Sequence, residues 1–169
     1  KRGLILNPLF IGGGQEKGLR PGTENVSLIS GMTEALAFAY NEMEGNILHI
    51  KKMEDLFICE LKKSQINFKI NGGPRLSGLI NITFNQIDGQ TLLMQLDMCG
   101  IAISYGSACT SGSSKPSTAL LNIGLSEESA KRTVRISIGK HITEENILSL
   151  VSNLHSIIPK TDKVGEKVE

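Results

Sequence analysis

Four short runs rich in β-branched and apolar residues, set between stretches of helical periodicity, constrain this chain more than any other feature. Residues 66–70 alternate apolar and polar side chains, 79–84 and 133–138 are dense in Ile, Val and Thr, and 101–104 is a shorter run of the same kind. Elsewhere apolar residues recur every three or four positions. Leu28, Ile29, Met32, Leu36, Ala39 and Met43 mark one helix, starting at Thr23 or Glu24 and broken at Gly45-Asn46. Ile47, Ile50, Met53, Phe57 and Leu61 mark a second, and its Lys51, Lys52, Glu54, Asp55 and Lys62 read as a solvated face. Asp88 is placed to cap a third helix through Leu92, Leu93 and Leu96, with Gly100 to close it. Residues 117–121 suit a helical turn. Ser126 caps the run Glu127 to Arg132, acidic first and basic last as the helix dipole favours. Thr143 caps a last amphipathic helix through Ile147, Leu150, Val151 and Leu154. The order α-α-β-β-α-β-loop-α-β-α predicts an α/β fold of the α+β kind, a small mixed sheet covered by helices.

At 169 residues the chain is long enough for one compact domain or for a domain with an appendage, and 40% hydrophobic content permits a real core. A net charge of +1 gives no electrostatic case for nucleic acid, and 4% aromatics gives none for base stacking. No apolar run reaches membrane-spanning length and no secretory signal opens the sequence. The expected setting is therefore cytoplasmic, or an organelle matrix in a eukaryote. The chain opens Lys1-Arg2-Gly3 without an initiator methionine, as a piece of a longer protein would. Three cysteines, Cys59, Cys99 and Cys109, match no zinc spacing and suit free thiols in a reducing compartment.

Cys109 stands apart. It sits in Gly106-Ser107-Ala108-Cys109-Thr110-Ser111-Gly112-Ser113-Ser114, which offers no large apolar side chain to bury. A structural cysteine is normally packed as a small hydrophobe; a thiol on an exposed loop can attack and carry a group. A flexible linker with an incidental cysteine has the same composition. A second loop, Gly12-Gly13-Gly14 through Lys17-Gly18-Leu19-Arg20-Pro21-Gly22-Thr23, has glycines that let backbone amides approach an anion, a hydroxyl at Thr23 and a fixed charge at Arg20. It matches no standard phosphate-loop pattern, and an ordinary glycine-rich turn reads the same way. Arg135 lies mid-strand between Val134 and Ile136, where its fork suits a carboxylate or an internal ion pair. Cys59 and Cys99 are expected to pack, and His49, His141 and His155 to take surface or capping roles.

Taken in order, Gly12-Gly13-Gly14-Gln15-Glu16, then Arg20-Pro21-Gly22-Thr23-Glu24-Asn25, then Ser107-Ala108-Cys109-Thr110-Ser111, then Arg135-Ile136-Ser137-Ile138-Gly139 resemble the cysteine desulfurases. These are pyridoxal-phosphate (PLP) enzymes of the class V aminotransferase superfamily. The likeness covers nearly the whole chain. The long loop running to Lys115-Pro116-Ser117 is similar to the NifS/IscS group, since the SufS group and selenocysteine lyases have a shorter loop.

The resemblance implies that Cys109 takes sulfur from L-cysteine as a persulfide, releasing L-alanine, and that Arg135 holds the substrate carboxylate. It implies that Thr23 donates to the PLP phosphate of the partner subunit in a homodimer, with Arg20 and Asn25 in support. It implies a division into 1–30, the tail of the PLP-binding domain, and 31–159, the small domain with the cysteine loop; residues 160–169 are expected to be a disordered charged tail. The partners it implies are a homodimer mate or a complementary N-terminal half, and an iron–sulfur scaffold or sulfur-relay protein, with a transient iron–sulfur contact at Cys109. Direct nucleic-acid or membrane binding is not expected. The PLP lysine of the family, in a His-Lys motif upstream of this region, has no counterpart here; Lys17, Lys51 and Lys115 match no such position. The chain alone is therefore expected to be inactive. The alternatives are a non-catalytic persulfide-acceptor or docking module derived from a desulfurase, and a PLP lyase acting on another sulfur or selenium amino acid.

Overall fold

The computed structural model describes residues 3–106 and 117–159. The expectations for the cysteine loop at 107–116 and for the tail at 160–169 lie outside the described residues. The chain divides into two compact units, residues 1–43 and 44–169.

In the first unit, residues 15–18 form a tight turn in which Glu16 and Lys17 take left-handed backbone angles (φ 48° and 58°). Helix α1 (Val26–Lys63) follows. Its start is set by Asn25, whose Oδ1 accepts from the Leu28 amide at 3.1 Å. The expected break at Gly45-Asn46 does not occur, because a glycine inside a helix costs only about 1 kcal/mol relative to alanine and is overridden by the run on either side.

The second unit holds a four-stranded sheet in the order β1-β2-β4-β3, formed by β1 (Phe68–Ile70), β2 (Leu79–Phe84), β3 (Ser104–Tyr105) and β4 (Thr133–Ser137). Helix α2 (Gly89–Met98) joins β2 to β3, and α3 (Thr118–Asn122) and α4 (Glu127–Lys131) precede β4. Helix α5 (Glu144–Ile157) follows it. The expected small sheet covered by helices is present. Every pairing is antiparallel, however, so the sheet is not mixed. The caps read from the sequence hold: Asp88 accepts from the Gln90 and Thr91 amides, Ser126 from Ser129, and Thr143 forms a capping box with Asn146.

One face of the sheet carries the core. Ile80, Ile82, Phe84, Val134 and Ile136 alternate inward and meet Met53, Phe57 and Leu61 of α1, Leu92 and Leu96 of α2, and Ile147 and Leu154 of α5. Each such side chain contributes roughly 1.5–3 kcal/mol on burial. No described helix is long and apolar enough to cross a membrane.

Glu54 departs from the solvated face expected of its charged neighbours: it is buried and organises the loop between β1 and β2. Glu54 on α1, only 7% exposed, accepts from the Gly78 amide at 2.6 Å and pairs with Arg75. Gly78 sits at φ +81°, where a Cβ would strike Ile50 and lie 2.6 Å from the Ile138 carbonyl oxygen. Glu54→Ala should leave that amide and guanidinium without their acceptor and lower stability by about 2–3 kcal/mol. Urea unfolding checks it: the midpoint falls for Glu54→Ala, and less for Glu54→Gln, which keeps an acceptor for Gly78.

Candidate functional site

The glycine-rich loop folds on itself. The Gly22 amide donates to Gln15 Oε1 at 3.3 Å. A Cβ at Gly12 would come within 2.6 Å of Pro21, and Gly22 itself lies at φ +110°. Two non-glycine residues in the left-handed region mark a backbone whose shape is imposed by the loop rather than by local preference. Thr23 and Arg20 are exposed within this unit. Asn25 serves as the cap of α1, a local job that accounts for its presence without a ligand.

In the second unit the site is built on the sheet face opposite the core. Strand β4 alternates, so that Val134 and Ile136 are buried while Arg135 and Ser137 are exposed. The register sets Arg135 opposite Ser104 on β3 and Asn81 on β2. Arg135 Nη2 donates to Ser104 Oγ at 3.2 Å. Asn81 Oδ1 accepts from Asn71 Nδ2 at 2.9 Å, and the same Asn71 amide group donates to Thr83 Oγ1 at 2.8 Å. Thr83 and Thr133 share a 2.7 Å hydrogen bond, and Thr133 Oγ1 donates to the Ser129 carbonyl at 2.6 Å. Polar side chains thus run across β3, β4 and β2, from Ser104 through Arg135 to Asn81, and on to Asn71, the residue that follows β1.

Strand β3 delivers the chain to the cysteine segment. Its last residue, Tyr105, packs its ring against Gly89, where a Cβ would lie 2.7 Å from the ring. Burial, and then the Asp88 carboxylate, hold the Tyr105 phenol above its usual range. Gly106 then turns at φ +68°. Cys109 lies outside the described residues; the register places Arg135 beside Ser104, five positions before it.

Cys59 and Cys99 do not pack as expected: both are exposed free thiols. Cys59 is two positions from Phe57 and so turns away from the buried stripe of α1, and Cys99 follows the last turn of α2. Two of the histidines, His49 and His155, bond backbone carbonyls. His49 Nε2 bonds the Ile142 carbonyl at 2.9 Å and His155 Nδ1 the Ser64 carbonyl at 3.2 Å. No group of potential metal ligands occurs among the described residues.

Ser104, Asn81 and Asn71 escaped the sequence reading. For Asn81 the available signal was a polar side chain at an alternate position of a strand otherwise rich in isoleucine, but only the register and the Asn71–Asn81 bond show that these residues share a row with Arg135.

A family model described as aminotransferase class-V matches residues 11–150. A cysteine desulfurase IscS of Archaeoglobus fulgidus is 35% identical over 162 residues, covering 95% of this chain and 42% of that protein. One from Dictyoglomus turgidum is 36% identical, covering 95% of this chain and 41% of that protein. The X-ray structure of a NifS-like protein from Rickettsia africae superposes with a TM-score of 0.76 at 34% identity, covering 91% of this chain and 40% of that one. The chain thus spans about two fifths of the length of the relatives it matches.

Proposed function

This chain belongs to the class-V aminotransferase family, whose members work with PLP, and on that premise we propose that it is the part of a cysteine desulfurase that holds the substrate carboxylate and receives the sulfur. The observation that carries this reading is the register that sets Arg135 beside Ser104, with the Cys109 segment following directly from β3. A clamp for an amino-acid carboxylate and a nucleophilic thiol are thereby fed from neighbouring strands. Arg135 offers its fork to the α-carboxylate of L-cysteine. Cys109, as thiolate, attacks the substrate sulfur; the carbon–sulfur bond breaks with its electron pair left on the carbon, which takes up a proton to become the methyl group of L-alanine, and the sulfur stays on Cys109 as a persulfide. The persulfide then passes to an acceptor, an iron–sulfur scaffold or a sulfur-relay protein.

The residues present fit one end of PLP. The exposed Thr23 hydroxyl, just ahead of α1, suits its phosphate across a dimer interface, with Arg20 alongside. Among the described residues no lysine fits a covalent attachment: each is exposed, whereas a lysine that carries a cofactor works from a sheltered pocket. When bound, PLP supplies the electron sink that loosens the substrate's bonds. On this reading the first unit belongs with a cofactor-binding half. Its exposed apolar side chains, among them Ile5, Leu9, Phe10, Ile11 and Leu36, support a covering polypeptide, either that half or a homodimer mate.

Peptide mass spectrometry after addition of L-cysteine and PLP tests the proposal. The chain alone should yield an unmodified Cys109 peptide. Mixed with a lysine-bearing N-terminal half, it should yield the same peptide heavier by one sulfur. No persulfide in either sample would favour a non-catalytic module instead.

A further inference from the structure

We infer that Ser104 is a positioning residue for Arg135, aiming its guanidinium over the outer face of the sheet so that the unused N–H groups converge on a carboxylate; the inference rests on the reading of Arg135 as the substrate clamp. Arginine has five N–H donors on a long, rotatable stem. An exposed arginine binds a ligand well only if something limits where its head can go. Here that contact is the 3.2 Å bond from Nη2 to Ser104 Oγ across the β3–β4 pair. Strand β3 is only two residues long, and one of the two is the residue that makes this contact. The other, Tyr105, fixes the strand by packing against Gly89.

The chemistry of the neighbours matters as much as the geometry. Arg135 takes no part in the ion pairs Lys52–Glu144, Lys63–Glu60, Arg75–Glu54 and Arg132–Glu128. Its partners in register are a hydroxyl, Ser104, and a carboxamide, Asn81. A carboxylate at either place would orient the guanidinium and also neutralise it. A neutral hydroxyl orients it and leaves the full positive charge for an anionic ligand. Asn81 is itself tethered through Asn71, which is 7% exposed, so the other flank of the row is held from below.

The test uses the holoenzyme, this chain together with its cofactor-bearing half. Ser104→Ala should raise the KM for L-cysteine about tenfold, the effect of losing one hydrogen bond to a charged group, with kcat changed by about twofold or less. Ser104→Thr, which keeps the hydroxyl, should restore KM. Calorimetric titration adds a readout independent of turnover. L-alanine should bind Ser104→Ala more weakly by the same factor, whereas ethylamine, which lacks the carboxylate, should bind wild type and variant alike. In an Arg135→Ala background, Ser104→Ala should add nothing. Equal weakening of alanine and ethylamine would overturn the inference, because a merely structural serine would act on both. If Arg135→Ala raises KM while Ser104→Ala does not, the positioning role falls and the clamp stands. If Arg135→Ala leaves KM unchanged, the clamp reading falls and this inference with it.

Discussion

Cys109→Ser should abolish sulfur transfer in the reconstituted enzyme, by three or more orders of magnitude, on the order of the loss when the nucleophile is removed from a catalytic unit. The physical reason is the difference between sulfur and oxygen at one position. A thiol ionises within reach of neutral pH and its thiolate is a strong, polarisable nucleophile, while a serine hydroxyl without an adjacent base is neither. Serine also cannot hold the product, since the transferred sulfur must remain on a sulfur atom. Binding through Arg135 should survive, so the affinity for L-alanine should be unchanged while persulfide on the 109 peptide disappears. Cys59 and Cys99 are exposed free thiols and are the controls for this experiment. A persulfide that moved to one of them with alanine release intact would remove Cys109 from its assigned role.

Arg135→Ala should raise the KM for L-cysteine by about a hundredfold, the scale of losing a two-point charged contact to a carboxylate. The effect should exceed that of Ser104→Ala because the variant removes the charge itself and not only its aim. Arg135→Lys should recover little, since a compact ammonium cannot reproduce the fork or reach Ser104 in the same geometry. Steady-state kinetics across a cysteine series decides the matter, and an unchanged KM would refute the clamp. The fold should tolerate the change, because the side chain projects from the open face of β4 while Val134 and Ile136 on the other face hold the strand in the core.

Where physics is local, the sequence was a good guide. The capping residues Asp88, Ser126 and Thr143 each make the bonds read for them, because a side chain two or three positions from an amide is already in reach. Strand β2 runs over the expected residues because its alternation of isoleucine with polar side chains suits a sheet with one buried face. Structure departs from local preference where a distant contact or the run of a long element overrides it. Gly45-Asn46 has the local character of a break, yet α1 continues through it. The chemical type of Cys59 and Cys99 favours packing, whereas their angular places on α1 and after α2 put them in solvent.

By itself, then, the sequence determined most of the inventory: the strands, the capped helices, the fork at Arg135 and the family motifs. Those follow from side-chain type and spacing, which act over a few residues. Only the tertiary structure decided that the sheet is antiparallel in the order β1-β2-β4-β3, and hence that Ser104, Arg135, Asn81 and Asn71 stand in one row. Strand pairing is a choice between segments far apart in the chain, made by the burial of a shared core, and no local signal along the chain records which partner wins.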